Sequence, residues 1–369
     1  MFVLSNAFFR IVTMFTLARK MRRPIQAVSW SRFITASLLT VFFLFAALIG
    51  AALIGGCGQK QQDIQISETK LLMDTFCTIT IHGDFNAEEL ESIIDRAFQL
   101  CAELEALFSI TDKVSDVWRI NHAGGEPVTV DSQTIDIIKA GLEFGKLSGG
   151  MFDITIGRVS RLWDFSGEPN VPSEAELNEA IETVDYRGVI IFDNTVQLTN
   201  SDAWIDLGAI AKGYIADKIA GFLAAEGVSG ALIDLGGDVV TLGNRQDGSP
   251  WRIALRDPFG DQGQWLGTVE VSGVSVLGSG IYERRFEADG KQYHHILDPY
   301  TGMPVTSDVA SAFVIADNAM VGEGLSTIAV LLGSERGSEI FEQTNGFIGA
   351  VIVLNNGELL EFGDVEMKK

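Results

Sequence analysis

Ile205-Asp-Leu-Gly-Ala-Ile-Ala-Lys-Gly-Tyr-Ile-Ala-Asp217 is the stretch whose reading decides the fold. It opens on an apolar strand end and an acid, Asp206. A glycine turn follows at Leu207-Gly208-Ala209, then a helical pattern with Lys212 in its first turn. A tight loop feeding a helix start offers backbone N–H groups and the positive end of the helix dipole. Such a terminus suits an anion, and a nearby lysine strengthens it for phosphate. The plainer alternative is an ordinary strand–turn–helix with a surface lysine, because glycine turns before helices are common. The rest of the chain has to decide between the two.

The flanks alternate between strand and helix signals. Upstream, Ile190, Ile191, Phe192 and Val196 surround Asp193-Asn194, a hairpin pattern. Downstream, Ile210, Tyr214, Ile219, Phe222 and Leu223 give a helix ending at Gly227. Residues 231–235 then read as a buried strand running into Gly236-Gly237-Asp238. That glycine turn would let a ligand approach the backbone, or Asp238 would simply cap it. Residues 71–82 alternate as one strand. Residues 86–108 form a helix with Asn86 and Glu89 at capping-box spacing. Its apolar face is Leu90, Ile93, Ile94, Ala97, Phe98, Cys101, Leu104 and Phe108. A second helix covers 132–147 and stops at Gly149-Gly150; a third starts after Ser173, with Glu176 at capping-box spacing. From Trp251 the chain reads as strands with glycine turns, until a helical stretch over 318–332. With no regular βα repeat, the class is α+β, mixed sheets with packed helices.

The first 56 residues differ from the rest. They hold six basic residues (Arg10, Arg19, Lys20, Arg22, Arg23, Arg32) and no acid, and an apolar run ends at Ile54-Gly-Gly-Cys57. A basic start, an apolar core and small residues before a cut describe a secretory signal. The ending resembles a lipobox, with Cys57 lipidated as the mature N-terminus. An uncleaved membrane anchor is the alternative. Residues 57–69 read as a polar tether and 70–369 as the folded domain. Beyond the leader, 21 basic residues face 49 acidic ones, a charge of −28. So acidic a body argues against nucleic acid as partner. An anionic ligand must be met locally, by a metal, a lysine and backbone N–H groups. Cys77 and Cys101 are expected as buried free thiols, although an oxidising compartment would allow a disulfide. No spacing suggests zinc.

Three further stretches belong with the central one: Ser279-Gly-Ile-Tyr-Glu-Arg284, Tyr293-His-His-Ile-Leu-Asp-Pro-Tyr-Thr-Gly302 and Glu323-Gly-Leu-Ser-Thr327. Together, and in this order, they resemble the ApbE family of FAD:protein FMN transferases, whose pattern reads DLGGIAKG, SGxYxR, HHIxDPxTG and DAx(S/T)T. The resemblance runs over about residues 70–345. It implies an ApbE-like, T-fold-like architecture. It also implies transfer of FMN from FAD to a Ser or Thr hydroxyl of a target protein, with release of AMP. Hydrolysis of FAD to FMN and AMP, or flavin binding without turnover, are the alternatives. The expected setting is an inner- or outer-membrane lipoprotein facing the periplasm or exterior, acting on exported redox proteins.

The resemblance also assigns residues. Mg²⁺ is expected on the Ala209 carbonyl, Glu323 and Thr327. Flavin contacts are expected at Met73, Met151, Phe152, Asp153, Asp206, Lys212 and Ile296, and His295 near the reacting phosphate. Glu323 and Thr327 stand four apart in a helical pattern, so they share a face, and both present hard oxygens. The chain departs from the pattern twice: Glu323 replaces the usual Asp, and Ala209 the usual Gly. A longer carboxylate puts metal choice or affinity in doubt, because Mg²⁺ tolerates little geometric error. Each residue also has a structural reading. Phe152 would be core and Asp153 a turn residue; Met73 would fill a gap; Glu323 would be a helix-start glutamate. Asp298 either orients His295 or caps the Pro-Gly turn, the latter being the favoured reading.

Overall fold

Two antiparallel strands come first, β1 (Ile64–Leu72) and β2 (Thr75–Gly83). The structure, a computed structural model, describes residues 64–369 apart from 166, 168 and 262. Then follow α1 (Ala87–Phe108), α2 (Asp116–Asn121), β3 (Val128–Thr129), α3 (Ser132–Leu147), α4 (Gly157–Ser160) and α5 (Glu174–Ile181). The hairpin β4 (Val189–Phe192) and β5 (Thr195–Leu198) leads to α6 (Ala211–Ala225), β6 (Gly230–Leu235) and β7 (Val239–Leu242). After them come β8 (Trp251–Arg256), β9 (Trp265–Val271), β10 (Ser275–Gly280), β11 (Arg285–Ala288), β12 (Lys291–His294) and β13 (Val309–Ala316). The chain closes with α7 (Ala319–Leu332), α8 (Ser334–Gln343), β14 (Phe347–Leu354) and β15 (Leu359–Gly363).

The frame is an eight-stranded antiparallel sheet in the order β1-β2-β6-β7-β10-β13-β14-β15. Its strands bury both faces. On β13, Ala312, Val314 and Ala316 join the core under α1, α6 and α7, while Phe313 and Ile315 face the β8–β9 ribbon. That ribbon supplies Trp251, Ile253, Leu255, Val269 and Val271. This explains why β13 reads as a continuous apolar run rather than an alternating one. A third cluster of Val159, Trp163, Leu177, Ala180 and Leu297 packs α4 and α5 beside the β11–β12 hairpin. The α+β expectation holds, and the eight predicted apolar residues of α1 are all buried behind a complete Asn86–Glu89 capping box.

Several expectations need correction. The folded body begins by Ile64, because 64–69 pair with β2; that part of the expected tether is sheet. Residues 71–82 are not one strand. Met73 and Asp74 take φ of 52° and 57° and turn the chain back on itself. Two consecutive left-handed residues make the turn that suits a tight hairpin, which the alternation of apolar residues could not reveal. Ile205 ends no strand; only an isolated parallel bridge, Ile156 to Trp204, touches this segment. A second C-terminal helix, α8, follows α7 immediately, because Gly333 (φ 83°) resets the chain direction. The signal segment 1–56 and the expected lipidation of Cys57 lie outside the described residues. Among the described residues no helix is long and apolar enough to cross a membrane.

Candidate active site

The central loop is clamped before it reaches α6. The buried amide of Asn121 donates to the Ile205 carbonyl at 2.8 Å and accepts from its N–H at 2.7 Å, pairing with it as a sheet neighbour would. Asp206 turns the chain by accepting from Gly208 N–H at 2.9 Å, and its other oxygen accepts from Ser160 Oγ at 2.7 Å.

Helices α6 and α7 then cap each other. Asp217 on α6 accepts from the N–H groups of Ala319 and Met320 (2.7 and 3.0 Å) at the start of α7. Glu323 on α7 returns the interaction, accepting from Gly213 N–H at 2.7 Å in the first turn of α6. The helices approach this closely because residue 213 is glycine; a Cβ there would stand 2.6 Å from the Ala319 carbonyl oxygen. The free helix terminus expected for an anion is therefore occupied by a carboxylate from the protein itself. Gly213 N–H is one of the first-turn donors that a helix leaves without a carbonyl partner, and Glu323 satisfies it. The Ala209 carbonyl, the oxygen expected to ligate a metal, lies one residue before the Ile210 N-cap.

Three of the four motifs converge here. Lys212 lies between two buried carboxylates, bonded to Asp238 and 3.3 Å from Glu323. Asp238, on the turn after β6, also accepts from Gly278 N–H of β10 at 3.2 Å. At the next residue of β10, Ser279 Oγ lies 2.8 Å from Ser326 Oγ and 3.1 Å from Thr327 Oγ1. Burial pushes the Glu323 carboxyl up to about 7; Lys212 opposes the shift and Asp238 adds to it. Burial alone would lower the Lys212 ammonium, but Asp238 and Glu323 more than offset it, so Lys212 stays charged. Two carboxylates thus share one lysine in a buried place, a surplus of negative charge that a dication would relieve. The Glu323 carboxylate, the Thr327 hydroxyl and the Ala209 carbonyl are hard oxygens of the kind Mg²⁺ takes, so the residues fit the ion. Among the described residues no cluster of three or more His, Cys, Asp or Glu offers a different metal site.

The fourth motif is linked to this region only electrostatically, the Lys212 charge being the smallest of the influences on His295. His295 follows β12, and burial, then Arg284, push its imidazole down to about 4. It is neutral at pH 7, and its Nδ1 is buried without a hydrogen-bond partner. His294 faces elsewhere, with Nε2 3.2 Å from the Val305 carbonyl. Asp298 caps its turn, accepting from Tyr300 N–H at 2.8 Å, which is the favoured reading rather than the orientation of His295.

The remaining expected flavin contacts are placed unevenly. Met73 forms the β1–β2 turn, and its N–H donates to Glu105 at 2.8 Å. Met151 is half-buried beside the main core, and Phe152 and Ile296 are buried in it. Both oxygens of Asp153 are engaged, by Thr155 N–H and Oγ (2.7 and 2.6 Å) and by Tyr186 N–H (2.9 Å). For Phe152 and Asp153 the core and turn readings describe what the side chains do within the protein. The 115–121 segment, which resembles a family stretch that is structural or near the ligand, does the structural job through Asn121, whereas sequence reasoning missed Asp217 as the residue that sets the helix pair. Asp217 was legible only as the last residue of the opening stretch.

This geometry defines a loop-and-helix-pair site on an antiparallel α+β frame. Residues 73–352 match the model of the ApbE family, and the chain belongs to that family. It is 33% identical over 310 residues to a protein of Treponema pallidum named FAD:protein FMN transferase, covering 79% of this chain and 86% of that one. A Klebsiella pneumoniae protein of the same name is 36% identical over 275 residues, covering 73% and 84%. Among solved structures, the ApbE protein of Thermotoga maritima superposes with a TM-score of 0.73 at 31% identity, over 83% of this chain and 97% of that one. The flavin transferase ApbE of Vibrio cholerae gives 0.72 at 28% identity, over 81% and 97%.

Proposed function

We propose that this chain transfers the FMN half of FAD to a Ser or Thr hydroxyl of another protein. The acceptor oxygen bonds to the phosphorus of the flavin-side phosphate, the P–O bond to the adenylate half breaks, and AMP leaves. The observation that carries this reading is the meeting of Lys212, Asp238, Glu323, Ser279 and Thr327 at one buried point. Mg²⁺ on Ala209, Glu323 and Thr327 would screen the pyrophosphate and stabilise the charge that develops on it. The chain's own residues do the rest. Lys212 supplies a fixed positive charge, Asp238 holds it in place when Glu323 turns to the ion, and Gly237, whose Cβ position has nothing within 4 Å, leaves room for the nucleotide. His295, neutral and with an open nitrogen, takes the hydroxyl proton. Anionic phosphates beside it would raise its pKa toward the working range.

The proposal extends to a lipid on Cys57, through the lipobox-like Ile54-Gly-Gly-Cys57, and to exported redox proteins as acceptors. The test is a pair of variants, Glu323→Ala and Thr327→Ala. Both are expected to lose Mg²⁺-dependent turnover while keeping a cooperative unfolding transition. Full activity in both would remove the proposed ion site.

A further inference from the structure

Arg256 ends β8, the ribbon strand that none of the four motifs includes. Its guanidinium lies over the Tyr282 ring, 4.6 Å from the centroid. Its Nε is buried and has no hydrogen-bond partner, and among the described residues the side chain forms no ion pair. A buried donor left unsatisfied is costly, and a native protein that keeps one has a reason.

The support under this arginine is built rather than incidental. Tyr282 is 8% exposed, and its ring rests on Gly280, where a Cβ would come within 2.3 Å of it. Burial, with the Glu283 charge, pushes the phenol up to about 12, so the ring stays neutral under its cation. The platform is also at the site. Ser279, three residues earlier, touches Thr327. Glu283, the next residue, feels Lys212, Asp238, Arg256 and Arg284 together. The Lys212 charge is shared by Asp238 and Glu323, so a second side-chain cation would add to what Lys212 offers a polyanion. A guanidinium fixed over a ring presents a planar fork that matches phosphate.

We propose that Arg256, held on Tyr282, is a phosphate-binding residue of this site and receives a phosphate of the flavin nucleotide. This rests on the flavin-transfer reading above. It gives the SGxY part of the motif a physical role: Ser279 reaches Thr327, Gly280 clears space, and Tyr282 carries Arg256.

The experiment measures Kd for riboflavin, FMN and FAD by flavin fluorescence, over a range of salt, for the wild type, Arg256→Met and Arg256→Lys. Unfolding midpoints serve as the fold control. Loss of a charge-assisted pair predicts FMN and FAD binding weakened about tenfold to a hundredfold in Arg256→Met. The salt dependence should shrink, Arg256→Lys should recover part of the loss, and riboflavin should be unaffected. Unchanged FAD and FMN affinity in a folded Arg256→Met protein would overturn the proposal. So would equal weakening of all three flavins, or a rise only in the KM for the acceptor protein. A wild type that binds no flavin nucleotide would instead overturn the flavin-transfer reading itself.

Discussion

Gly213→Ala tests the helix pair on which the site is built. A Cβ at this position would lie 2.6 Å from the Ala319 carbonyl oxygen, 2.7 Å from its carbon and 2.9 Å from Met320 Cα. All three are backbone atoms, so no side chain can swing away. The helices must separate by several tenths of an ångström to restore ordinary contact. That movement stretches the Glu323 bond to Gly213 N–H (2.7 Å) and both Asp217 bonds to the start of α7 (2.7 and 3.0 Å). Alanine itself favours a helix by about 1 kcal/mol over glycine. Overpacking against rigid backbone costs about 1–3 kcal/mol, and strained caps add to that. The net expectation is a loss of about 2 kcal/mol, a fall in Tm of roughly 3 °C for a domain of about 300 residues. Transfer should drop more steeply, about a hundredfold, because α7 carries Glu323 and Thr327 out of place. Thermal melts and single-turnover FMN transfer read both quantities. An alanine variant that melts higher than the wild type, as helix propensity alone would dictate, and transfers at the full rate would refute the close contact and the site built on it.

His295, held near 4 in the fold against an ordinary 6.5, binds its proton more readily when unfolded, so acid should destabilise the protein between these values, by up to about 3 kcal/mol. Urea melts at pH 4.5 and 7 should show a smaller difference in His295→Gln than in the wild type, and that variant should lose transfer; an identical difference would place His295 outside its buried pocket. Thr327→Val keeps the shape but removes the hydroxyl that meets Ser279. Its stability should move by about 1 kcal/mol or less while Mg²⁺-dependent turnover falls at least tenfold, and preserved turnover would exclude the hydroxyl as a ligand. Asp153→Asn keeps one acceptor oxygen but sets an amide donor against the partners of the other, Thr155 or Tyr186 N–H, so it should lose about 2 kcal/mol in a thermal melt, with FAD Kd changed less than about threefold. A large loss of FAD affinity without loss of stability would restore the side chain to the flavin site.

Local chemistry was legible wherever one residue's neighbours in sequence decide its conformation. The Asn86 and Ser173 caps and the buried face of α1 are set within a turn or two of helix. The Asp193-Asn194 turn and the stop at Gly149-Gly150 follow the same rule, and the structure has them as read. Three of the motifs named residues that the fold brings together, Lys212, Ser279, Glu323 and Thr327, because their order along the chain carries information that spacing alone does not. What stayed hidden depends on distant partners. No local pattern shows that Gly213 N–H goes to a carboxylate 110 residues later, or that Asn121 pairs with Ile205 across 84 residues. The turn at Met73-Asp74 was missed for a different reason. Met73 gives no sign of a left-handed backbone, and Asp74, which tolerates one, is followed by Thr75 rather than glycine, so the alternation runs straight through the turn. Arg256 was silent because its meaning lies in the ring beneath it.

The most direct test of the central claim is intact-mass analysis of a candidate exported acceptor after incubation with the folded domain, FAD and Mg²⁺, with nucleotides quantified in the same sample. The account predicts one FMN added through a phosphoester to a Ser or Thr of the acceptor, one AMP released per label, and loss of both on adding EDTA or on Glu323→Ala. FMN and AMP released at the same rate with or without an acceptor, and no mass gain on any protein, would contradict it.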